Sequence, residues 1–149
     1  MVSKLREGSG SESGFTLVEL LVVMLILGIL AAIAIPAFFN QRDKAWDADA
    51  KVEARTAEAA METYVTDHDG DYTGADAGDL HAIEATLPDV GGSLAVAYPG
   101  GTALYRVTST SDTGNTFSIT RNDDGTKSLS CTPVAGANGC PEGGDWSGD

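Results

Sequence analysis

Basic residues are scarce in this chain: nine Lys and Arg stand against 22 Asp and Glu, for a formal net charge of −13. A nucleic-acid binder needs a cationic footprint for the phosphates, so no direct nucleic-acid binding is expected. Histidine is scarcer still. The two present, His68 and His81, lie near no nucleophile motif, and no phosphate-cradling glycine loop accompanies them. The Asp residues are dispersed through turn-like segments, where solvation accounts for them. Neither an enzyme nor a cofactor follows from this. Cysteine is limited to Cys131 and Cys140. Two thiols so spaced, with no His nearby, do not make a zinc site. They do suit one disulfide in an oxidising compartment. Closing so short a loop contributes about 2.5–3 kcal/mol on the chain-entropy model.

Apolar sequence, by contrast, is concentrated in one place. Residues 20–39 carry no charge and no strongly polar side chain. About 20 such residues suffice to cross a bilayer core as a helix. The charges of residues 1–14, Lys4, Arg6, Glu7 and Glu12, cancel, so nearly all the negative charge lies beyond the apolar run. An ordinary secretory signal fits poorly, because the run exceeds roughly 7–15 residues and no Ala-x-Ala site cleanly ends it. A plain membrane anchor explains the hydrophobicity but leaves Glu19 unexplained. An ionised carboxylate in hydrocarbon costs about 2.5–3.5 kcal/mol at a helix centre.

Gly14-Phe15-Thr16-Leu17-Val18-Glu19, followed by Leu20-Leu21-Val22-Val23, resembles the class III signal of type IV prepilins and pseudopilins. The resemblance is specific for the first thirty or so residues after Gly14 and only architectural beyond them. It implies that a prepilin peptidase cuts between Gly14 and Phe15 and methylates the new amine of Phe15. It also implies that Glu19 pairs with the Phe15 amine of a neighbouring copy. Pro36 matches a proline found in many members of the family, and the stretch between a glycine and this proline, here residues 28–36 from Gly28, can lose helicity on assembly in relatives. The implied partners are further copies in a helical filament, the peptidase, a cytoplasmic ATPase and an inner-membrane platform. The implied location is a single-pass membrane protein first and an extracellular surface pilus afterward. A pseudopilin of a type II secretion system shares these features. So does a minor pilin that binds surfaces or takes part in DNA uptake.

The rest of the chain points to an α+β fold, with a long N-terminal helix and a four-stranded antiparallel sheet on its C-terminal half. The expected division is a cleaved leader at 1–14, an apolar helical half at 15–39, an amphipathic half at 40–67, a connecting region at 68–92, and the sheet with a disulfide-closed end at 93–149. Ala45, Ala48, Val52, Ala59, Met61, Tyr64 and Val65 supply an apolar stripe at helical spacing. Asp47, Lys51 and Arg55 sit at i+4 steps on another face, as surface charge pairs do, and Glu58 and Glu62 continue it. Gly70 is a natural left-handed helix terminator. A short helix at 78–87 precedes Pro88. Strands are expected at Ser93–Tyr98, Leu104–Thr110, Thr116–Arg121 and Lys127–Thr132, punctuated by Gly- and Asp-rich turns. Their inner face would carry Leu94, Val96, Val107, Phe117, Ile119 and Leu129. Asp67, Asp69 and Asp71 are the calcium candidates, although the EF-hand template fails because Tyr72 and Gly78 stand where Gly and Glu are needed. Trp146 has two placements open to it, on the sheet or on a neighbour.

Overall fold

The computed structural model describes residues 14–132 and 139–148. It divides after Phe38 into two compact units. Helix α1 runs Leu17–Asp67. The first unit is its apolar part, long and apolar enough to cross a membrane and with none of its most apolar stretch buried. The helix passes through Pro36, whose missing N–H has nothing to give to the Ala32 carbonyl.

The second unit starts at Phe39. Its part of α1 ends in a Schellman-type cap, with the Gly70 N–H donating to the Val65 carbonyl at 3.0 Å. Asp69 takes the left-handed position at φ 55°, and Gly70 follows at φ 90°. The terminator is therefore an Asp–Gly pair rather than Gly70 alone. Asp tolerates this region better than most side chains.

Helix α2 spans Ala77–Ile83 and opens with a capping box. Asp76 accepts from the Asp79 N–H at 3.0 Å, and Asp79 accepts in return from the Asp76 N–H at 3.1 Å. The helix ends four residues short of the expected 87. Glu84 turns its carboxylate onto Thr86, accepting from both its N–H and its hydroxyl, and the chain enters a turn there. Leu87 is still buried.

Strands β1 (Leu94–Ala97), β2 (Ala103–Thr110), β3 (Thr116–Asn122) and β4 (Lys127–Thr132) follow. They form one antiparallel sheet in the order β1-β2-β3-β4, a meander as the turn spacing predicts. The inner face carries the expected Leu94, Val107, Phe117 and Ile119, all buried, with Val96 and Leu129 partly so. Tyr105, Ser109 and Cys131 complete it by strand alternation.

The helix face packed in this core matches the expected one at Met61 and Tyr64 and departs from it upstream. Ala50, Ala54, Ala57, Ala60, Met61 and Tyr64 are buried, while Ala45, Ala48, Val52 and Ala59 are exposed. The spacing of three and four residues is right, but before Met61 the stripe is rotated. Small side chains let two elements approach closely, and the large side chains of the core come from Met61 and Tyr64 at the end of the helix, Leu80 and Leu87, the sheet and Trp146. The polar face was misplaced along with it. Glu62 accepts hydroxyl hydrogens from Tyr72 at 3.1 Å and Tyr105 at 3.2 Å, and Glu58 pairs with Lys127 at 2.5 Å.

Trp146 packs back on the sheet. It is fully buried, meets Phe117 edge-on at 5.9 Å between ring centroids, and donates its indole N–H to the Ser130 carbonyl at 3.1 Å. The Lys51 ammonium and the Arg55 guanidinium stand 5.9 and 5.0 Å from its ring. The Cys131 N–H donates to the Gly144 carbonyl at 2.7 Å, and Ser130 bridges to Asp145, so the tail lies along β4. Trp146→Ala should cost about 3–5 kcal/mol, as truncation of a large buried aromatic does. Thermal melting of the purified chain measures this, and a loss under about 1 kcal/mol would show the tail to be dispensable.

Candidate functional site

Two arrangements stand out, one in each unit. The first is the start of α1. Gly14, Phe15 and Thr16 are not helical. The Thr16 hydroxyl accepts from the Glu19 N–H at 3.2 Å, and the Thr16 carbonyl accepts from the Leu20 N–H at 3.2 Å. Thr16 is thus the N-cap of α1 and Glu19 its third residue, the spacing of a capping box. A carboxylate in the first turn also complements the positive end of the helix dipole. The T-x-x-E spacing from Thr16 to Glu19 is itself a capping-box signature in the sequence. Phe15 is 77% exposed, and a side chain added at Gly14 would meet nothing within 4 Å. The Gly14–Phe15 bond therefore lies outside the helix with open space on the glycine side.

Downstream, the helix presents apolar side chains all round: Met24 is 73% exposed and even Val22 is 45% exposed. A helix apolar on every side needs cover from lipid or from other chains. Gly28 faces open space as well. Gly28 and Pro36 both lie within continuous helix in the single chain.

The second arrangement centres on Asp47, a residue the sequence placed on a solvated face. It is fully buried. One carboxylate oxygen accepts from the Thr113 hydroxyl at 2.5 Å. The other accepts from the Asn115 amide at 2.8 Å and from the Gly139 backbone N–H at 2.7 Å. Burial pushes its pKa up, but the hydrogen bonds from Thr113, Ser111, Gly139 and Asn115 together outweigh it and hold the carboxyl below its ordinary range. A Cβ on Gly139 would stand 2.6 Å from the Cβ of Asp47, so only glycine permits this approach. One side chain thereby joins α1, the β2–β3 turn and the disulfide loop. Thr113, Asn115 and Gly139 lie 66 to 92 positions away, and no local pattern announces them.

Cys131 and Cys140 are bonded, with Cα atoms 5.8 Å apart. The disulfide thus fixes Gly139 beside Asp47. The calcium candidates are not brought together. Among the described residues no three His, Cys, Asp or Glu side chains gather in a way that could hold a metal. Asp71 is committed to Thr73, whose hydroxyl and N–H hold its carboxyl below the usual range. Asp69 serves the helix cap.

Residues 10–35 match the family model described as the prokaryotic N-terminal methylation motif. The chain is 42% identical over 57 residues to the type II secretion system core protein G of Pseudomonas aeruginosa, covering 38% of this chain and 40% of that protein. It is 38% identical over 63 residues to a fimbrial protein of Neisseria meningitidis serogroup B, covering 42% and 36% of the two chains. The type IV major pilin protein PilA of Myxococcus xanthus is 39% identical over 56 residues, 38% of this chain and 26% of that one. The alignments thus span well under half of these relatives. No solved structure matches. The motif and the relatives support a type IV pilin-like protein, and the long helix with its four-stranded antiparallel sheet is the α+β architecture of a pilin.

Proposed function

We propose that the chain is a structural subunit of a type IV pilus. One observation carries the reading: an apolar helix exposed on all sides begins at a capped Thr16, immediately after a non-helical Gly14–Phe15 junction, with one carboxylate in its first turn. In this reading a prepilin peptidase hydrolyses the Gly14–Phe15 bond and residues 1–14 are lost. A non-helical, open bond is what a peptidase active site needs to reach. The new Phe15 amine, which is then methylated, has a reference pKa of about 7.7–8.0 and is largely cationic near neutral pH. It pairs with Glu19 of a neighbouring copy.

Residues 15–39 hold the monomer in the membrane and then form the filament core. Leaving lipid for other helices gains no hydrophobic free energy, so packing and the Glu19 pair must favour assembly. A cytoplasmic ATPase and an inner-membrane platform supply the work of extraction, and the product is an extracellular filament. Residues 28–36 unwind in that state. Continuous helix there in a filament would overturn this last point.

The identity to core protein G favours a second reading, a pseudopilin of a secretion system. Mass spectrometry of sheared surface filaments separates the two. A pilus subunit dominates that material and begins at N-methyl-Phe15. A chain that is processed in the same way but confined to the envelope fraction would favour the pseudopilin, and a chain retaining Gly14 would refute both.

A further inference from the structure

Beside the Asp47 network, α1 and the sheet leave an open cleft of about 160 Å³. It is lined by Trp46, Asp49 and Glu53 from the helix and by Ser93, Ser109 and Asp112 from the sheet side. Three carboxylates thus share one recess. Glu53 already accepts from the Ser93 hydroxyl at 2.9 Å, while Asp49 and Asp112 are exposed at the rim. The second observation is Ser109. It is fully buried, it lines the cleft, and its hydroxyl oxygen has no hydrogen-bond partner. An unpaired buried hydroxyl costs about 1–3 kcal/mol, so a partner arriving through the cleft would recover part of that.

We propose that this cleft binds a primary alkylammonium group. Three features select that chemistry. The carboxylates do not converge closely enough to form a metal-ligand set. An ammonium carries three N–H donors on one small centre and can bridge acceptors that are set apart, here the Ser109 hydroxyl and the rim carboxylates. The Trp46 wall tolerates positive charge, since its ring already carries the Arg42 guanidinium at 4.1 Å. Free diamines and lysine side chains of other chains share this group. The assignment does not depend on the pilus reading.

The test uses the full chain in detergent micelles, titrated separately with putrescine and with Nα-acetyl-lysine methylamide. The indole N–H resonance of Trp46 reports binding, and that of buried Trp146 is the internal reference. The expected result is a saturable shift at Trp46 with at least one of the two amines and none at Trp146. Putrescine alone identifies a free diamine as the ligand, and the lysine derivative alone identifies a side chain. Asp49→Asn and Asp112→Asn, both at exposed positions, should each weaken binding at least fivefold, and Ser109→Ala should weaken it without lowering the melting temperature. A shift that never saturates, one reproduced by sodium chloride at equal ionic strength, saturation by magnesium instead, or full affinity in Asp49→Asn would overturn the assignment.

Discussion

Asp47→Ala is expected to lower the stability of the Phe39–Asp149 unit by about 3–5 kcal/mol, among the largest losses a single substitution produces. The variant leaves the Asn115 amide, the Thr113 hydroxyl and the Gly139 N–H without their acceptor, in a place water reaches poorly. Each hydrogen bond to a charged group contributes roughly 1.5–3 kcal/mol, and the three are not additive because they share one side chain. A fall of about 10 °C or more in melting temperature follows for a unit of this size. Asp47→Asn keeps the shape and one acceptor, and should lose less. Melting curves of the three proteins check the order, and an unchanged alanine variant would show that the network is incidental.

The same group gives the protein an acid limit. The folded-state pKa of Asp47 lies below its unfolded value. Its contribution is therefore complete above about pH 4, the unfolded reference, and is lost as pH falls through the lower folded-state value. Asp47→Asn should be less stable at neutral pH, but the gap to the parent should narrow below pH 4.

Glu19→Gln should reduce surface filaments at least tenfold while leaving cleavage at Gly14–Phe15 intact. Glutamine is nearly isosteric and serves as well as glutamate at the third position of a capping box, so the start of α1 survives. What is lost is the charge proposed to answer the Phe15 amine. Breaking a buried ion pair by removing one partner costs about 3–5 kcal/mol, well above the roughly 1.4 kcal/mol of a tenfold effect. Sheared-filament yield, read beside the N-terminal mass of the membrane pool, separates assembly from processing. Normal filaments from the glutamine variant would remove the ion pair from the proposal and leave Glu19 as a capping residue only.

Much of the fold was legible because it rests on local rules. The apolar run, the Gly-bounded strands and the Pro- and Asp-marked turns each carry their own signal, and all four strands fall within a residue or two of expectation. The helix face was not legible. Alanine occurs on both sides of the second half of α1, so periodicity alone could not tell the packed stripe from the solvated one. Asp47 shows why. A carboxylate four residues before a lysine reads as a surface pair, and only the distant Thr113, Asn115 and Gly139 make it an interior residue. Trp146 was undecidable for the same reason, since what buries it is contact with Phe117 and Ser130 far back in the chain. The candidate junction, by contrast, is a contiguous motif and was readable at once.

The tail along β4 has a consequence for crowding. A meander has two open edges, and each invites strand addition from another copy. Here β1 is only four residues long, and β4 is occupied by Gly144 and Asp145 and pinned by Trp146. Wherever many copies are held side by side, sheet-to-sheet growth competes with helix-to-helix growth. With one edge short and the other shielded, that competing route is narrowed, which suits the proposed joining of copies through their helices.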